Sequence, residues 1–359
     1  MNARERFLKV FAHEIPDRVP RFVQHVKEDF FSLNEEQIFK SFEGEPVFNT
    51  NLDGPLALGF DACFMDLPKT WVSGSAELYL EEYGKRFNVA LDGKIKLLDR
   101  PTTFYQQGCF STLERFEAVY STVKKINNEE TIKKAQEYVE SVQDRIFTVP
   151  SVEGLFDTIW MAMGFKTFAK EFRKRSKLYL EMIKGYFEIS FGNAQGIIEA
   201  VGSRPGIICV KDDLAFKGRP MISPERWEQD FLPYYKQIAK LVHDAGMYFM
   251  LHSDGDVTDL VPSFIKTGFD GLQGWEGGAD PKLVKSRFPE FVVIGFGDVS
   301  EVLPFGTQEQ IEEHVKFLME TLKPNGHYIF GPSTVIVKEM PFENVKTFME
   351  SAKKYGNYK

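Results

Sequence analysis

The chain has 359 residues, and 43% of them are hydrophobic, which is enough for a large core in one α/β barrel or two ordinary domains. Its 44 Lys and Arg residues and 52 Asp and Glu residues give a net charge of -8 without long blocks of one sign. Neither a nucleic-acid-binding surface nor a membrane-binding surface is therefore expected. Three widely spaced cysteines without a CxxC pair indicate neither a disulfide framework nor a thiolate zinc site.

The N-terminal sequence lacks the apolar core of a signal peptide. No apolar run approaches the roughly 20 residues that span a bilayer. A cytoplasmic protein is expected.

A short apolar strand, a polar loop and an amphipathic helix alternate along the chain, which is typical of parallel β/α architecture. The predicted strands are residues 19–24, 46–51, 146–152, 207–211, 247–252, 271–274, 291–296 and 327–330. The predicted helices in the second half are residues 173–201, 224–245, 257–267, 281–287, 308–322 and 342–355. In the second of these helices Ser223 is a candidate N-cap, and Pro233 should kink or divide the helix. The eight strands predict a (β/α)8 TIM barrel.

The connection between residues 51 and 146 is much longer than a βα unit requires. It contains strand-like segments at 86–91 and 94–98 around the turn Asp92-Gly93, and helical segments at 112–119 and 129–141. We predict that residues 54–145 form an elaborated excursion that caps the barrel. Because the chain has no linker and no internal repeat, we predict that residues 1–359 form a single domain.

Polar residues follow most of the predicted strands, at the barrel end where active sites of this fold lie. His252 ends an apolar run and Asp254 follows two residues later, so an imidazole and a carboxylate can converge on a metal or a substrate. The full set of candidates is Asn51, Asp53, Glu153, Asp212, Asp213, His252, Asp254, Trp275, Glu276, Asp298 and Ser333.

These candidates also have structural interpretations. Asp53 and Asp298 lie in turn-forming sequences. Asp254 or Asp256 could cap the helix predicted from residue 257, and His252 could be a core histidine bonded to a backbone carbonyl. The two glutamates could face solvent.

Several carboxylates and one imidazole suit either a cation such as Zn²⁺ or general acid–base catalysis, and both remain open at this point. Nucleophilic catalysis has little support, because the chain has no GxSxG motif and no cysteine beside His252. No Walker A or GxGxxG motif indicates phosphate binding.

Seven short motifs, spread over nearly the whole chain, keep a characteristic order and spacing. They are Arg4-Glu5-Arg6-Phe7, Ile15-Pro16-Asp17-Arg18-Val19-Pro20, Leu56-Ala57-Leu58-Gly59-Phe60-Asp61, Asp212-Asp213-Leu214-Ala215, Ser223-Pro224-Glu225, His252-Ser253-Asp254-Gly255 and Gly268-Phe269-Asp270-Gly271. Together they resemble the uroporphyrinogen decarboxylase superfamily. The resemblance implies a (β/α)8 barrel and one of two activities: porphyrinogen decarboxylation, or methyl transfer between a small molecule and a corrinoid protein.

Two departures argue against the decarboxylase activity. Decarboxylases of the superfamily carry Arg-Gln-Ala-Gly-Arg after the first strand, where this chain has His25-Val26-Lys27-Glu28-Asp29. Their catalytic Asp in Asp-Ile-Leu-x-x-Pro falls on Thr50 when the motifs are aligned on Pro55. The resemblance is therefore closer to the corrinoid-dependent methyltransferases.

Some of those methyltransferases bind zinc through a His-x-Cys pair and a distant Cys, and activate a thiol. Here Asp254 and Ser333 stand where the cysteines are expected. The resemblance then implies a donor-side enzyme, an O-demethylase that moves a methyl group from a small molecule to the cob(I)alamin of a separate corrinoid protein. The 34 Phe residues hint at an aromatic, methoxylated donor.

In that scheme His252, Asp254 and Glu276 would hold zinc, and Glu153 or Asp213 would handle protons. The substrate would contact Asn51, Asp53, Trp275, Asp298 and Ser333. A porphyrinogen decarboxylase and a non-catalytic barrel that binds a corrinoid or another small molecule are the alternatives.

Overall fold

Eight parallel strands form the central sheet of the computed structural model, which describes residues 1–41, 52–65, 72–95, 107–125, 129–142, 146–202 and 206–358. The strands are β1 Phe22–Val23, β2 Ala62–Met65, β3 Phe147–Glu153, β4 Ile207–Lys211, β5 Tyr248–Ser253, β6 Gly271–Gly274, β7 Val292–Gly297 and β8 Tyr328–Pro332. They pair in this order, and the backbone N–H of Phe330 donates to Pro20 O at 2.9 Å, which brings β8 beside β1. The predicted (β/α)8 barrel is confirmed.

Alternate residues of the strands fill the barrel interior with apolar side chains, because successive side chains of a strand point to opposite faces. The interior cluster includes Phe22, Phe64, Cys209, Met250 and Ile294. The N-terminal helix Ala3–Phe11 adds three apolar side chains to the same cluster. The helix therefore closes the N-terminal end of the barrel and leaves the C-terminal end for the site.

The second barrel strand differs from the prediction. The predicted strand 46–51 lies outside the described residues, and the strand that pairs with β1 and β3 is Ala62–Met65. That strand falls inside the predicted excursion 54–145, so the assignment of residues 62–65 to the excursion was wrong. A four-residue apolar run has too few positions for its periodicity to separate a strand from a buried helical turn.

The rest of the long connection adds small antiparallel pairs and two helices. Ser75–Leu80 pairs with Lys85–Ala90, Lys94–Ile95 with Gln107–Gly108, and Val72–Ser73 with Lys124–Lys125, and the helices are Leu113–Tyr120 and Glu129–Val142. The two predicted strands around Asp92-Gly93 therefore pair with other segments and not with each other. Phe116 and Tyr186 pack at 6.0 Å between ring centres, which places this region against a barrel helix. Its role as a cap stays a prediction.

The α-helices of the described segments lie before, between and after the strands of the sheet along the chain. They are Ala3–Phe11, Glu28–Ser41, Asp53–Ala57, Leu113–Tyr120, Glu129–Val142, Leu155–Met163, Phe165–Lys174, Lys177–Val201, Pro224–Asp230, Leu232–Asp244, Val261–Thr267, Pro281–Arg287, Val302–Phe305, Gln308–Leu322 and Phe342–Tyr355. Among the described residues, no helix combines the length and the apolar character needed to cross a membrane.

Local sequence explains where two helices begin and end. The predicted helix 173–201 starts only at Lys177, because Arg175 has a left-handed φ of 46° and the Ser176 hydroxyl accepts from Tyr179 N at 3.2 Å. Ser223 caps the helix Pro224–Asp230, as predicted. The helical conformation is interrupted at Phe231, and a second helix begins at Leu232 with Pro233 in its first turn.

Candidate active site

Polar side chains occupy the last interior layer of the barrel, at the C-terminal ends of the strands. Gln24 follows interior-facing Phe22 by two residues, and His252 follows interior-facing Met250 in the same way. In the sheet His252 is paired with Lys211 on β4 and with Gln273 on β6. The strand period therefore brings an imidazole, an ammonium group and two amides into one layer.

His252 is held in one orientation. The residue is only 6% exposed, its Nδ1 lies 3.2 Å from the carbonyl oxygen of Gln273, and the Gln24 amide nitrogen lies 3.4 Å from each ring nitrogen. Because a carbonyl oxygen only accepts, Nδ1 carries the proton and donates. The lone pair of neutral His252 is then on Nε2, the nitrogen that faces the carboxylates.

Two carboxylates converge on that nitrogen. The Nε2 atom of His252 lies 3.7 Å from Asp213 Oδ1 and 3.9 Å from Asp254 Oδ1. One potential ligand atom from each of the three residues lies within 4.8 Å of the other two. The backbone N–H of Asp254 donates to Asp213 Oδ1 at 2.9 Å, which links the loops that follow β4 and β5.

Asp254 has the electrostatic environment of a cation ligand. Its buried Oδ1 finds no hydrogen-bond partner among the described residues. Burial raises the pKa of Asp254 to about 7, although His252 lowers it, and Asp213 and Glu276 raise it further. A buried carboxylate oxygen without a donor is costly, and a divalent cation would remove that cost. One imidazole nitrogen and two carboxylate oxygens suit Zn²⁺ or a similar ion, so the residues present fit a metal.

Asp212 fixes the backbone next to Asp213 through its own hydrogen bonds. This fully buried carboxylate accepts from the backbone N–H groups of Phe156 at 3.3 Å and Asp157 at 2.7 Å, and from the Tyr235 hydroxyl at 2.7 Å. Burial raises the pKa of Asp212 to about 6, and these hydrogen bonds oppose the shift. The adjacent loop is also fixed by Ser253, whose hydroxyl accepts from Leu214 N at 3.0 Å. The position of Asp213 is therefore set from both sides.

The remaining candidates of the first half are not members of the three-residue cluster or lie outside the described residues. Glu153 ends β3 with an exposed side chain, and its carbonyl oxygen accepts from the Ser190 hydroxyl. Asp53 is buried in the first turn of the helix Asp53–Ala57. Asn51 lies outside the described residues.

The remaining candidates of the second half line a cavity of about 200 Å³ at the ends of β6, β7 and β8. Glu276 accepts a hydrogen bond from the Ser300 hydroxyl and is not one of the three clustered residues. Trp275 stacks on Phe296 at 5.3 Å between ring centres. Ser333 is 1% exposed, and its hydroxyl has no partner within the part of the chain that the structure describes.

The acidic candidate Asp298 and the alternative helix cap Asp256 have identifiable structural contacts. Asp298 Oδ1 accepts from the backbone N–H groups of Ser300 at 2.8 Å and Glu301 at 2.7 Å, as the turn interpretation predicts. Asp256, and not Asp254, accepts from the N–H of Thr258 at 3.0 Å at the start of the next helical turn. Asp254 is therefore free of the capping role.

Comparison with known proteins places the chain in a family. The model of the family described as Uroporphyrinogen decarboxylase (URO-D) matches residues 105–355, more than half of the chain. The chain belongs to the uroporphyrinogen decarboxylase family. Two proteins to which this family member is similar, one in sequence and one in structure, are methyltransferases.

The first, Methylcobamide:CoM methyltransferase MtbA from Methanosarcina acetivorans, is 27% identical over 135 residues. That match covers 38% of this chain and 38% of the relative, so it spans well under half of either protein. The second is the solved structure of a methyltransferase from Methanosarcina mazei, with a TM-score of 0.64, 16% sequence identity and coverage of 99% of both chains. At that identity the second similarity shows a shared fold.

Several residues in or near the site of this family member were not predicted from the sequence. Gln24 and Gln273 carry a detectable signal: Gln273 is a polar residue inside the apolar strand β6, and Gln24 directly follows the apolar strand β1. Lys211 also carries it, and its ammonium group lies 4.5 Å from the centre of the Phe64 ring. Asp157 carries none: it lies inside a helix, and only tertiary packing brings it to Asp212.

Proposed function

We propose that this chain is a methyltransferase that moves a methyl group from a small-molecule donor to the cob(I)alamin of a separate corrinoid protein. We further propose that it is an O-demethylase. The observation that carries the proposal is the cluster of Asp213, His252 and Asp254, with ligand atoms within 4.8 Å of one another and a buried, unpartnered carboxylate oxygen. The similarity to methyltransferases in sequence and fold supports the same conclusion.

The absence of a thiolate from the cluster supports the direction of transfer. Cys63, Cys109 and Cys209 are buried and are not members of it. Burial raises the pKa of Cys109 to about 12 and raises that of Cys209 as well, so both thiols stay protonated. An oxygen-rich ligand set leaves the metal a harder Lewis acid, which favours an oxygen of the donor as its substrate atom.

Three residues would hold the metal, and others would position them. Asp213, His252 and Asp254 are the proposed ligands, with Asp213 in the place first assigned to Glu276. When bound, the ion would act as a Lewis acid toward the ether oxygen of the donor. The Gln273 carbonyl oxygen fixes the tautomer of His252, and the backbone N–H of Asp254 orients the Asp213 carboxylate by donating to it.

Methyl transfer from an ether balances in one displacement. The methyl carbon–oxygen bond breaks, and the electron pair of cob(I)alamin forms the new cobalt–carbon bond. The oxygen leaves with the pair of the broken bond and takes up one proton. Glu153 stays a candidate for handling that proton, because in the sheet it is paired with Lys211, which is also paired with His252.

An anaerobic assay with cob(I)alamin and 3-methoxyphenol tests the proposal. Metal-loaded protein should convert cob(I)alamin to methylcobalamin. The conversion is monitored by the change in the absorption spectrum of the cobalamin. His252→Ala should lower the rate by more than the ~10–100-fold typical of changes around a metal ligand. His243→Ala is the matched control, because His243 is a surface residue paired with Asp270.

The alternatives give other results. Release of carbon dioxide from a porphyrinogen without methyl transfer would support the decarboxylase. Binding of cobalamin or donor without any turnover would support the non-catalytic barrel.

A further inference from the structure

Aromatic side chains line a second cavity, formed by the segments that follow β3 and β4. They come from the helices Leu155–Met163 and Phe165–Lys174 and from a hairpin in which Ala215–Phe216 pairs with Arg219–Pro220. The volume of the cavity is about 370 Å³, and its aromatic residues are Phe156, Trp160, Phe165, Phe168, Phe172 and Phe216. Cavities of ~300–1,000 Å³ with a mostly apolar lining are typical of small-molecule sites.

Two of the aromatic rings are exposed to solvent. Phe165 is 57% exposed on the helix side of the cavity, and Phe216 is 58% exposed on the hairpin side. Phe156 and Phe168, by contrast, are buried and pack edge to face at 5.3 Å between ring centres. The lining therefore combines a buried part with an exposed apolar rim, and an exposed apolar patch of this kind indicates a surface that a ligand covers.

Among the described residues, one charged side chain lines the cavity, and it is a cation. This residue is Arg219, in a chain whose net charge is -8. Its guanidinium has neither a hydrogen bond nor an ion pair with another residue in the part of the chain that the structure describes. Arg226, which lies 4.4 Å from the centre of the Phe172 ring, is instead paired with Asp230. A guanidinium without a carboxylate partner can bind the carboxylate of a ligand through two parallel hydrogen bonds.

The hairpin that carries Arg219 is fixed at both of its ends. At its start, the backbone N–H of Leu214 donates to Ser253 Oγ at 3.0 Å. At its turn, the backbone N–H of Gly218 donates to Gly277 O at 2.8 Å, and Gly218 has a left-handed φ of 83° that glycine adopts without strain. Because protein contacts alone fix this wall of the cavity, ordering it costs a ligand little free energy.

The volume of the cavity suits a body of two aromatic rings. A cavity of ~150 Å³ holds benzene, and about 370 Å³ is more than twice that volume. Rings of the ligand can stack on the aromatic side chains of the lining or meet them edge to face. Size and charge together indicate a flat aromatic carboxylate.

We propose that this cavity binds a two-ring aromatic carboxylate, with the rings against Phe165 and Phe216 and the carboxylate on the guanidinium of Arg219. The described lining includes none of the three cluster residues, so this ligand is bound outside the metal-ligand cluster. The inference does not rest on the proposed function, because the ligand needs neither a methyl group nor a metal. Binding here and methyl transfer can therefore succeed or fail separately.

Calorimetric titration of the full chain with 2-naphthoate and with 2-naphthylmethanol tests the inference, because the two compounds share a ring system and differ in charge. About one naphthoate should bind per chain, at least about tenfold more tightly than the alcohol, which is the effect of a charge-assisted hydrogen bond. Arg219→Gln should remove that difference by weakening naphthoate binding alone. Phe216→Ala should weaken the binding of both compounds by roughly threefold or more, since both lose a ring contact.

Lys217→Gln is the matched control, because this exposed lysine lies in the turn of the same hairpin and does not line the cavity. At physiological ionic strength its loss should change naphthoate affinity by less than about twofold, since salt screens charges that do not contact the ligand.

Equal affinity for the two compounds would overturn the inference, and so would equal losses of naphthoate affinity in Lys217→Gln and Arg219→Gln. Unchanged naphthoate affinity in a folded Arg219→Gln variant would have the same meaning. Failure of both compounds to bind at about 1 mM would also overturn it, and would leave the exposed rings to an apolar side chain of a protein partner.

Discussion

Asp254 combines burial, a missing hydrogen-bond donor and a nearby imidazole. Its Oδ1 lies 3.9 Å from His252 Nε2, while its backbone N–H donates to Asp213. With burial as the largest cause, its pKa rises to about 7, so the metal-free side chain takes up a proton near neutral pH. A bound cation would replace that proton.

Metal content should therefore depend on the Asp254 carboxylate. Purified protein should contain about one divalent ion per chain by elemental analysis, and Asp254→Asn should contain almost none, since the change keeps the size and removes the charge. Asp256→Asn is the control, because Asp256 bonds to Thr258 outside the cluster. Equal metal content in the Asp254→Asn and control proteins would contradict the ligand assignment.

Asp157 should make the metal-free protein less stable as pH rises. Burial first, and then the charges of Asp213 and Asp212, raise its pKa from 3.8 to about 8. Because the folded-state pKa is the higher one, its contribution is fully present below pH 3.8 and is lost as pH rises through about 8. The loss is at most about 1.4 kcal/mol per pH unit.

Asp157→Asn removes that titration. In denaturant unfolding of chelator-treated protein, the variant should be more stable than the parent at pH 9 and equal to it below pH 4. A parent with the same pH dependence as the variant would show that Asp157 ionises normally.

At the scale of elements, the sequence predicted those helices whose position is determined by a local pattern of apolar residues. The helices Pro281–Arg287, Gln308–Leu322 and Phe342–Tyr355 were predicted to the residue, because each has a clear apolar period and a defined start. Strand β2 was missed because four apolar residues form no distinctive period.

The same distinction applies to the site. His252, Asp213 and Asp254 were candidates because they lie at or just beyond the C-terminal ends of strands, and parallel strands end at one edge of the barrel. The choice of Asp213 over Glu276 as the third member could not be predicted, since it depends on the loop geometry that turns Glu276 toward Ser300. Asp157 depends on packing between a helix and the end of β4.

Asp61 connects three elements at the N-terminal end of the barrel. Its carboxylate accepts from Arg6 at 2.8 Å, from both terminal nitrogens of Arg18 at 2.7 Å, and from the Arg21 backbone N–H at 2.8 Å. Asp61→Asn would leave buried guanidinium charge uncompensated, so the free energy of unfolding should fall by about 3–5 kcal/mol in urea titration.

An exposed ion pair provides the comparison for that measurement. Asp244 pairs with Lys240 one helical turn away on the surface. Asp244→Asn should change the free energy of unfolding by no more than about 0.5 kcal/mol. A similar loss in the two variants would mean that Asp61 contributes no more than a surface charge.

At the scale of the whole molecule, the two ends of the barrel have different roles. Phe7, Val10 and Phe11 fill the N-terminal end with apolar side chains. The C-terminal end carries the cluster of Asp213, His252 and Asp254 and, at the ends of β6, β7 and β8, a cavity of about 200 Å³. A corrinoid protein that receives the methyl group at this cluster would therefore have to approach the C-terminal end.

The fate of a labelled methyl group tests the central claim most directly. Metal-loaded protein is incubated with cob(I)alamin and 3-methoxyphenol that carries a deuterated methyl group, and the cobalamin is then analysed by mass spectrometry. The proposed function predicts cobalamin heavier by one intact deuterated methyl group, in amounts that fall sharply with Asp254→Asn. Unlabelled cobalamin, or the same labelled yield from Asp254→Asn, would contradict methyl transfer at this site.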